Sequence, residues 1–512
     1  MAAAAFELNE YQGGEGATAA HAATAPEGEA FGRRSTGVVR QGSGRRCVAP
    51  WRTVTSEEFA VSAVPRPLTD SLGNEVTLDD PASLSAIDDF VGGFIACEAR
   101  AANVLAASDD PSPLVQAYCA ALHMFSESRD GVPGARPFIA RALQGAARAT
   151  PREQRFISAV AAWIDGDITG AIALHEAQAQ DHPRDLASVK LGQYHCFNRG
   201  DGPGMLRIAL AALPHASDVP YLHGMVAFGH EQCHRMREAE AAARRAIAMC
   251  RKEPWAHHAL GHVLLTEGRL SEGLAFMRSV SDSWTGLNSF MVTHNWWHVA
   301  LFLIDLERDA EALAVYDQHV WGVAKDYAQD QIGAVSLLAR FELAGIEVGH
   351  RWDDVAAHLL TRLDDHTLPF LDLQYLYGLA RAGRPEADTL LQGIVAHAPR
   401  APASSRAAWE RVCVPAAHGL LAHARGDFAG ALEGLGTALP RLAEIGGSHA
   451  QRDLFEQIHL DALVKRGLPN TLAAAQGVLQ QQLNTQPESL RLRRQTAAVD
   501  AALGLPPVTI TR

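Results

Sequence analysis

Cysteine is scarce and shows no pairing pattern. The chain holds seven, at Cys47, Cys97, Cys119, Cys196, Cys233, Cys250 and Cys413, and no two of them form a C-x-x-C pair. Scattered and odd in number, they argue against a disulfide framework and a structural zinc knuckle, and suit reduced thiols in a cytosol. Long apolar runs are also missing. No stretch reaches the roughly 18 apolar residues that a membrane helix needs. The opening MAAAAFELNEYQ lacks the basic start and long apolar core of a secretion signal, so the expectation is a soluble, cytoplasmic protein. Positive charge is in deficit: 45 Lys and Arg against 58 Asp and Glu give a net charge of -13. That balance argues against nucleic acid or an anionic membrane as the main partner. No segment alternates with the period of two that a strand requires. There is no nucleotide-binding glycine loop, no G-x-S-x-G elbow, no H-E-x-x-H helix and no dinucleotide fingerprint.

What is present favours helix. Across 512 residues, 47% are hydrophobic and 20% charged, ordinary values for a globular protein, and Ala and Leu dominate. Residues 1–65 show little periodicity and read as a poorly ordered extension with a basic patch from Arg33 to Arg52. From Asp70 onward the pattern is helical. Leu84–Ala107 reads as one helix ending before the DDPSP turn, and Leu114–Phe125 as a second. A Gly- and Pro-containing loop follows from Asp130 to Pro137.

Helix-pair repeats with a tetratricopeptide spacing recur. That unit wants small residues where its two helices cross and Gly where the first helix ends. Ala159, Gly166, Ala171 and Pro183 fit one unit, and Ala239 and Ala243 the second helix of another. Gly261, Gly268 and Gly273 fit a third, with Gly273 lying 34 residues after Ala239. Ala300, Ala312 and Tyr316 fit a fourth, after a short insertion near Thr285. Gly419, Gly426 and Ala431 fit a late one. In common register they predict an all-α fold, an α-solenoid of tetratricopeptide-type helix pairs, spanning 66–512 as one body.

The stretch around which this body is organised runs from Trp255 to Val320. It carries two histidine pairs at helical spacing, His258 with His262 and His294 with His298, each on one helix face. The stretches WAHHALGH, GLAFM, HNWWHVAL, AVYDQHV, GIEVGHRWDDV and IGGSHAQRDLF together resemble the tetratricopeptide repeat protein 38 family, from about Asp70 to the C-terminus. That resemblance implies a helical-repeat fold and no particular reaction. It also implies departures. The family pattern has a His-Asp pair where this chain has Gln193 and Tyr194, and a Glu where it has Leu265. It has an Asp where this chain has Gly333, and polar or imidazole groups where it has Leu371 and Gln374. The groove it implies is therefore less charged here and suited to a more apolar ligand.

In a tetratricopeptide register the first helix of each unit faces a concave groove. His258, His262, His294 and Trp297 fall on that face, and His298 lies one turn on from His294. Tyr221, Phe228, Glu231 and Gln232 come from the preceding unit, and Lys190 and Tyr194 from the one before. Three readings of the histidines stay open: metal ligands, with Glu231 or Asp317 as the nearest acids; metal-free acid/base or ligand contact; and packing between helices. Arg452 in GGSHAQRD is either an anion clamp or half of a structural ion pair, as are Arg340 and Arg351. Cys196 and Cys233 fall near the groove. The leading reading is a protein that binds a small, partly apolar ligand, or a peptide, in this groove through Lys190, Tyr221, Phe228, Gln232 and Trp297. No metal or cofactor is assigned. The rival is a cofactor-independent isomerase, cyclase, lyase or hydrolase, with the four histidines, Tyr194 and Glu231 as acid/base groups. A scaffold ranks third, and a homodimer stays open.

Overall fold

The computed structural model describes residues 67–506; the expected extension and its basic patch lie outside the described residues. The first element is a short antiparallel ribbon, Leu68–Thr69 against Glu75–Val76, too small to alter an otherwise all-α fold. The helices follow in pairs: α1 (Leu84–Ala96); α2 (Pro113–Met124) and α3 (Gly131–Gly145); α4 (Pro151–Ile164) and α5 (Ile168–Asp181); α6 (Leu186–Phe197) and α7 (Gly202–Ala216); α8 (Pro220–Gln232) and α9 (Met236–Met249). Then come α10 (Pro254–Thr266) and α11 (Leu270–Val280), α12 (Ser289–Asp305) and α13 (Asp309–Val315), α14 (Ala328–Leu343) and α15 (Arg351–Leu359), α16 (Pro369–Arg381) and α17 (Glu386–His397). The short α18 (Arg406–Ala408) runs through a π-helical turn into α19 (Val414–Ala424), which pairs with α20 (Phe428–Ala438). The chain closes with α21 (His449–Arg466), α22 (Pro469–Thr485) and α23 (Leu490–Ala502).

A recurring local signal makes these pairs. At the turn between partners a glycine takes the left-handed conformation and an aspartate follows it. Asp167, Asp201 and Asp427 each accept a hydrogen bond from the backbone N–H three residues on, at Gly170, Gly204 and Gly430. That caps the second helix of the pair. The small crossing residues predicted from the repeats are buried: Ala159, Ala171, Ala239, Ala243, Ala300, Ala312 and Ala431. First helices then stack on first helices, α8 on α10, α10 on α12, α12 on α14, α14 on α16 and α16 on α19. This is the α-solenoid.

Two local expectations are corrected. The helix from Leu84 stops at Ala96, where Cys97 adopts a left-handed conformation with φ 57°; Ala99–Ala107 is a separate 3-10 helix. The predicted loop from Asp130 to Pro137 is instead the start of α3, with Pro137 inside it. Packing of α3 against α2 outweighs the hydrogen bond that Pro137 cannot make.

The inner face of the solenoid is not open. The C-terminal helices turn back over it, α21 packing on α14 and α23 on α12. Asp305 at the end of α12 accepts from Ser489 at 2.6 Å and Arg491 at 2.9 Å, all three buried. Gly268 shows the closeness of this return. A Cβ there would lie 2.6 Å from the Thr485 carbonyl oxygen, and its φ is +70°. Gly446, just before α21, lies against Asn198 at the end of α6.

Candidate functional site

Glu253 caps the N-terminus of α10, accepting from the Ala256 N–H, and fixes the first turn from which His258 and His262 project. Asn288 does the same for α12 through Met291 N, setting His294 and His298. Because α12 packs beside α10, the two pairs meet. Nε2 of His258 lies 2.9 Å from Nε2 of His262 and 3.2 Å from Nε2 of His294. Ligand atoms of all four rings lie within 4.8 Å of one another. Burial disfavours the charged imidazolium, and neighbouring rings would add mutual repulsion. His258 and His298 are accordingly held well below the usual histidine range, and His294 is pushed down to about 3 by burial and then by His262. The four imidazoles expected on the concave face come together and are buried. None is more than 7% exposed, because α21 and its approach cover that face.

Glu231, from the end of α8, sits behind this cluster. Its Oε1 lies 3.3 Å from Nδ1 of His262. Burial would raise its carboxyl; the His262 imidazole and the Gln232 amide outweigh that and hold it below the ordinary range. The other acid considered, Asp317, is remote from the histidines and forms a bidentate pair with Arg351 near the surface.

Beside the histidines is a cavity of about 150 Å³. His258 and His294 form part of its wall, and Phe94, Phe125, Phe228, Trp255, Phe290 and Tyr327 supply most of the rest. Lys190 enters from α6. Its Nζ lies 5.3 Å from the Trp255 ring centre and 5.5 Å from that of Phe94. It donates to Ile95 O at 3.0 Å and contacts Cys97 Sγ at 2.9 Å. Tyr194 donates to the buried Glu127 at 2.8 Å. Burial raises the Glu127 carboxyl, with Gln329 and Tyr194 acting in the opposite sense. Ser448 and Gln451 close the cavity from the start of α21. A more polar cavity of about 440 Å³ lies behind Leu265, where Arg340 and Arg452 face the C-terminal helices.

The structure thus sorts the predicted residues. His258, His294, Lys190, Tyr194 and Phe228 border the chamber. His262, His298 and Glu231 lie beside it in a buried polar cluster. Tyr221 packs with the apolar residues around Val219 and Leu222, away from the chamber, and Gln232 is on a surface depression near Cys233. Neither residue lines the chamber, and the Gln232 side-chain amide donates to Glu231. Trp297 is 1% exposed, stacked on His294 at 5.2 Å, with Arg340 over its ring. It is core, not a free wall. Arg452 donates to Gly446 O and Gly447 O and lines the more polar cavity. The chamber's cysteine is Cys97; Cys196 is buried elsewhere, and burial pushes its thiol up to about 12.

Sequence reasoning missed Phe94, Phe125, Glu127, Phe290, Gln329, Ser448 and Gln451. The last two lie in GGSHAQRD, a motif legible in the sequence whose destination was not. Glu127, in the turn after α2, carries no local signal at all.

A comparison with protein-family models finds no match. Among solved structures, the chain is similar to one described as Naa15/Naa10 bound to HypK-THB, with 13% sequence identity and a TM-score of 0.23. That likeness covers 78% of this chain and 64% of the other, so the chain spans less than two thirds of it. The fold assignment rests on the helix pairs and stacking described above. No described helix is long and apolar enough to cross a membrane.

Proposed function

We propose that this helical-repeat protein binds a small, partly apolar molecule inside the bore of the solenoid. The observation that carries the reading is the chamber itself: aromatic walls, a lysine that makes two hydrogen bonds among the described residues, to Ile95 O and Cys97 Sγ, and neutral imidazoles at one side. Mostly apolar concavities with a few convergent polar groups are where small ligands bind. A volume near 150 Å³ accepts a compound of about single-ring size, as engineered cavities of that volume accept benzene. The ligand class is therefore a small aromatic or branched compound bearing a carboxylate or carbonyl for Lys190. A larger cavity of about 730 Å³ shares Glu127, Tyr194 and Asn198 with the chamber, so a longer ligand or an extended peptide end can enter from that side.

The resemblance to the tetratricopeptide repeat protein 38 family supports a shared site. WAHHALGH, HNWWH and GGSHAQRD are far apart in sequence, yet residues of all three border this chamber. We place the protein in that family and, given free thiols at Cys97, Cys119, Cys196, Cys233, Cys250 and Cys413, in a reducing compartment such as the cytoplasm. A second reading, an enzyme, draws on one feature. The neutral rings of His258 and His294 border the same chamber and can hydrogen-bond to a bound molecule, polarising it, although burial makes them weak bases. Calorimetric titration of small aromatic carboxylates tests the binding reading: saturable binding lost in Trp255→Ala supports it, and uniform absence of binding across such a panel counts against it.

A further inference from the structure

The four histidines present a donor set that hydrogen bonding within the protein does not satisfy. The ε nitrogen of His258 faces two other ε nitrogens, at 2.9 and 3.2 Å. A neutral imidazole nitrogen is either one donor or one lone pair, so it cannot serve both contacts well. Nδ1 of His258 and both nitrogens of His298 are buried without a protein partner. The Glu231 carboxylate, 3.3 Å from Nδ1 of His262, favours the tautomer with the proton on Nδ1. That choice leaves a lone pair on Nε2, aimed into the cluster. Carboxylates behind metal-bound histidines act in this way, orienting the ring and raising its basicity.

We propose that His258, His262, His294 and His298 form a binding site for one divalent first-row transition ion, zinc being the reference case. The spacing fits. With Zn–N bonds of 2.0–2.1 Å, a tetrahedral site has nitrogen–nitrogen edges of about 3.3 Å. Two of the edges here are 2.9 and 3.2 Å, and all four ligand atoms lie within 4.8 Å of one another, so small ring rotations complete the shell. The donor type selects the metal class. All four ligands are imidazoles, which suit zinc, iron, nickel or copper, whereas calcium and magnesium demand oxygen. Packing restrains the rings before any ion arrives: His294 stacks on Phe290 and Trp297, at 5.0 and 5.2 Å between ring centres, and none of the four is more than 7% exposed. Four imidazoles would fill a tetrahedral shell, so the site is of the closed type and the ion would tie α10 to α12 beside the chamber that His258 and His294 border. The assignment is independent of the small-ligand reading: metal uptake without a chamber ligand, or the reverse, separates the two.

The test uses untagged full-length protein, stripped with a chelator and titrated with cobalt(II) and then zinc(II) under equilibrium dialysis. One ion per chain is expected, with the visible absorption of cobalt(II) in a low-coordinate nitrogen site, bleached as zinc replaces it. His262→Gln and His298→Gln should each abolish the absorption band, and Glu231→Gln should weaken uptake about 10- to 100-fold. His319→Gln, on the surface side of Trp296, should leave uptake unchanged. Substoichiometric uptake by the wild-type chain overturns the proposal, and so does uptake indifferent to both ligand substitutions. Should a histidine variant fail to fold by circular dichroism, the wild-type stoichiometry and spectrum still decide.

Discussion

The carboxylate of Glu231 lies 3.3 Å from Nδ1 of His262, and neither side chain is more than 1% exposed. A helix end and the middle of the next repeat are thereby tied together beneath the bore. Glu231→Ala should reduce unfolding free energy by about 1.5–3 kcal/mol, the usual range for losing a buried hydrogen bond to a charged group, here the one from the Gln232 amide, together with the contact to His262. Urea denaturation measures it. An unchanged midpoint would mean that the contact contributes nothing to folding.

Lys190 is the chamber's cation. Lys190→Met keeps the aliphatic stem and removes the charge along with the hydrogen bond to Ile95 O. The stability loss should be modest, about 1 kcal/mol, while affinity for a chamber ligand with an anionic group should fall about tenfold or more, roughly 1.4 kcal/mol. A large melting shift with unchanged ligand affinity would instead make Lys190 a structural tie.

Gly333 lies in the middle of α14, and a Cβ added there meets nothing within 4 Å. Gly333→Ala should therefore stabilise the protein by about 0.5–1 kcal/mol, from helix propensity and a less flexible unfolded chain. Gly268→Ala should do the reverse, because its φ of +70° and the nearby Thr485 carbonyl both oppose a side chain. Paired thermal melts of the two variants give the signs directly.

Glu253, fully buried at the start of α10, has its carboxyl raised to about 8, by burial first and against the pull of the Ala256 N–H and Lys190. In the unfolded chain it titrates near 4.5. The native state therefore holds its proton more tightly. This contribution to stability is complete below about pH 4.5, is lost progressively as pH rises, and is gone above about 8. Glu253→Gln, which cannot ionise, should flatten the stability profile across that window. An unaltered slope would show that Glu253 is charged in the folded protein at neutral pH.

Much of the architecture is legible from spacing. Gly166, Gly268 and Gly426 mark real turns, and the alanines expected at helix crossings are buried there. The histidine pairs converge as their four-residue spacing predicts, once α10 and α12 lie side by side. The closure was not legible. A repeat register assigns faces within neighbouring pairs, whereas the covering of the bore depends on contacts such as Asp305 with Arg491, separated by most of the second half of the chain. For the same reason Trp297 reads as a groove wall in sequence and is core in the fold. The break at Cys97 is similar. Its left-handed backbone is imposed by packing around Lys190 and the Asn288 turn, whose N–H bonds to Cys97 O, and no turn residue announces it.

The central claim is that the aromatic chamber beside His258 and His294 holds a small molecule. The most direct measurement is mass spectrometry of compounds released when the natively purified protein is denatured, with Trp255→Ala and Phe228→Ala processed in parallel. The account predicts a compound of about single-ring size with an acceptor group, near one per chain in the wild type and depleted in both variants. A wild-type chain that releases nothing, and that binds no such compound when one is supplied in excess, would contradict it.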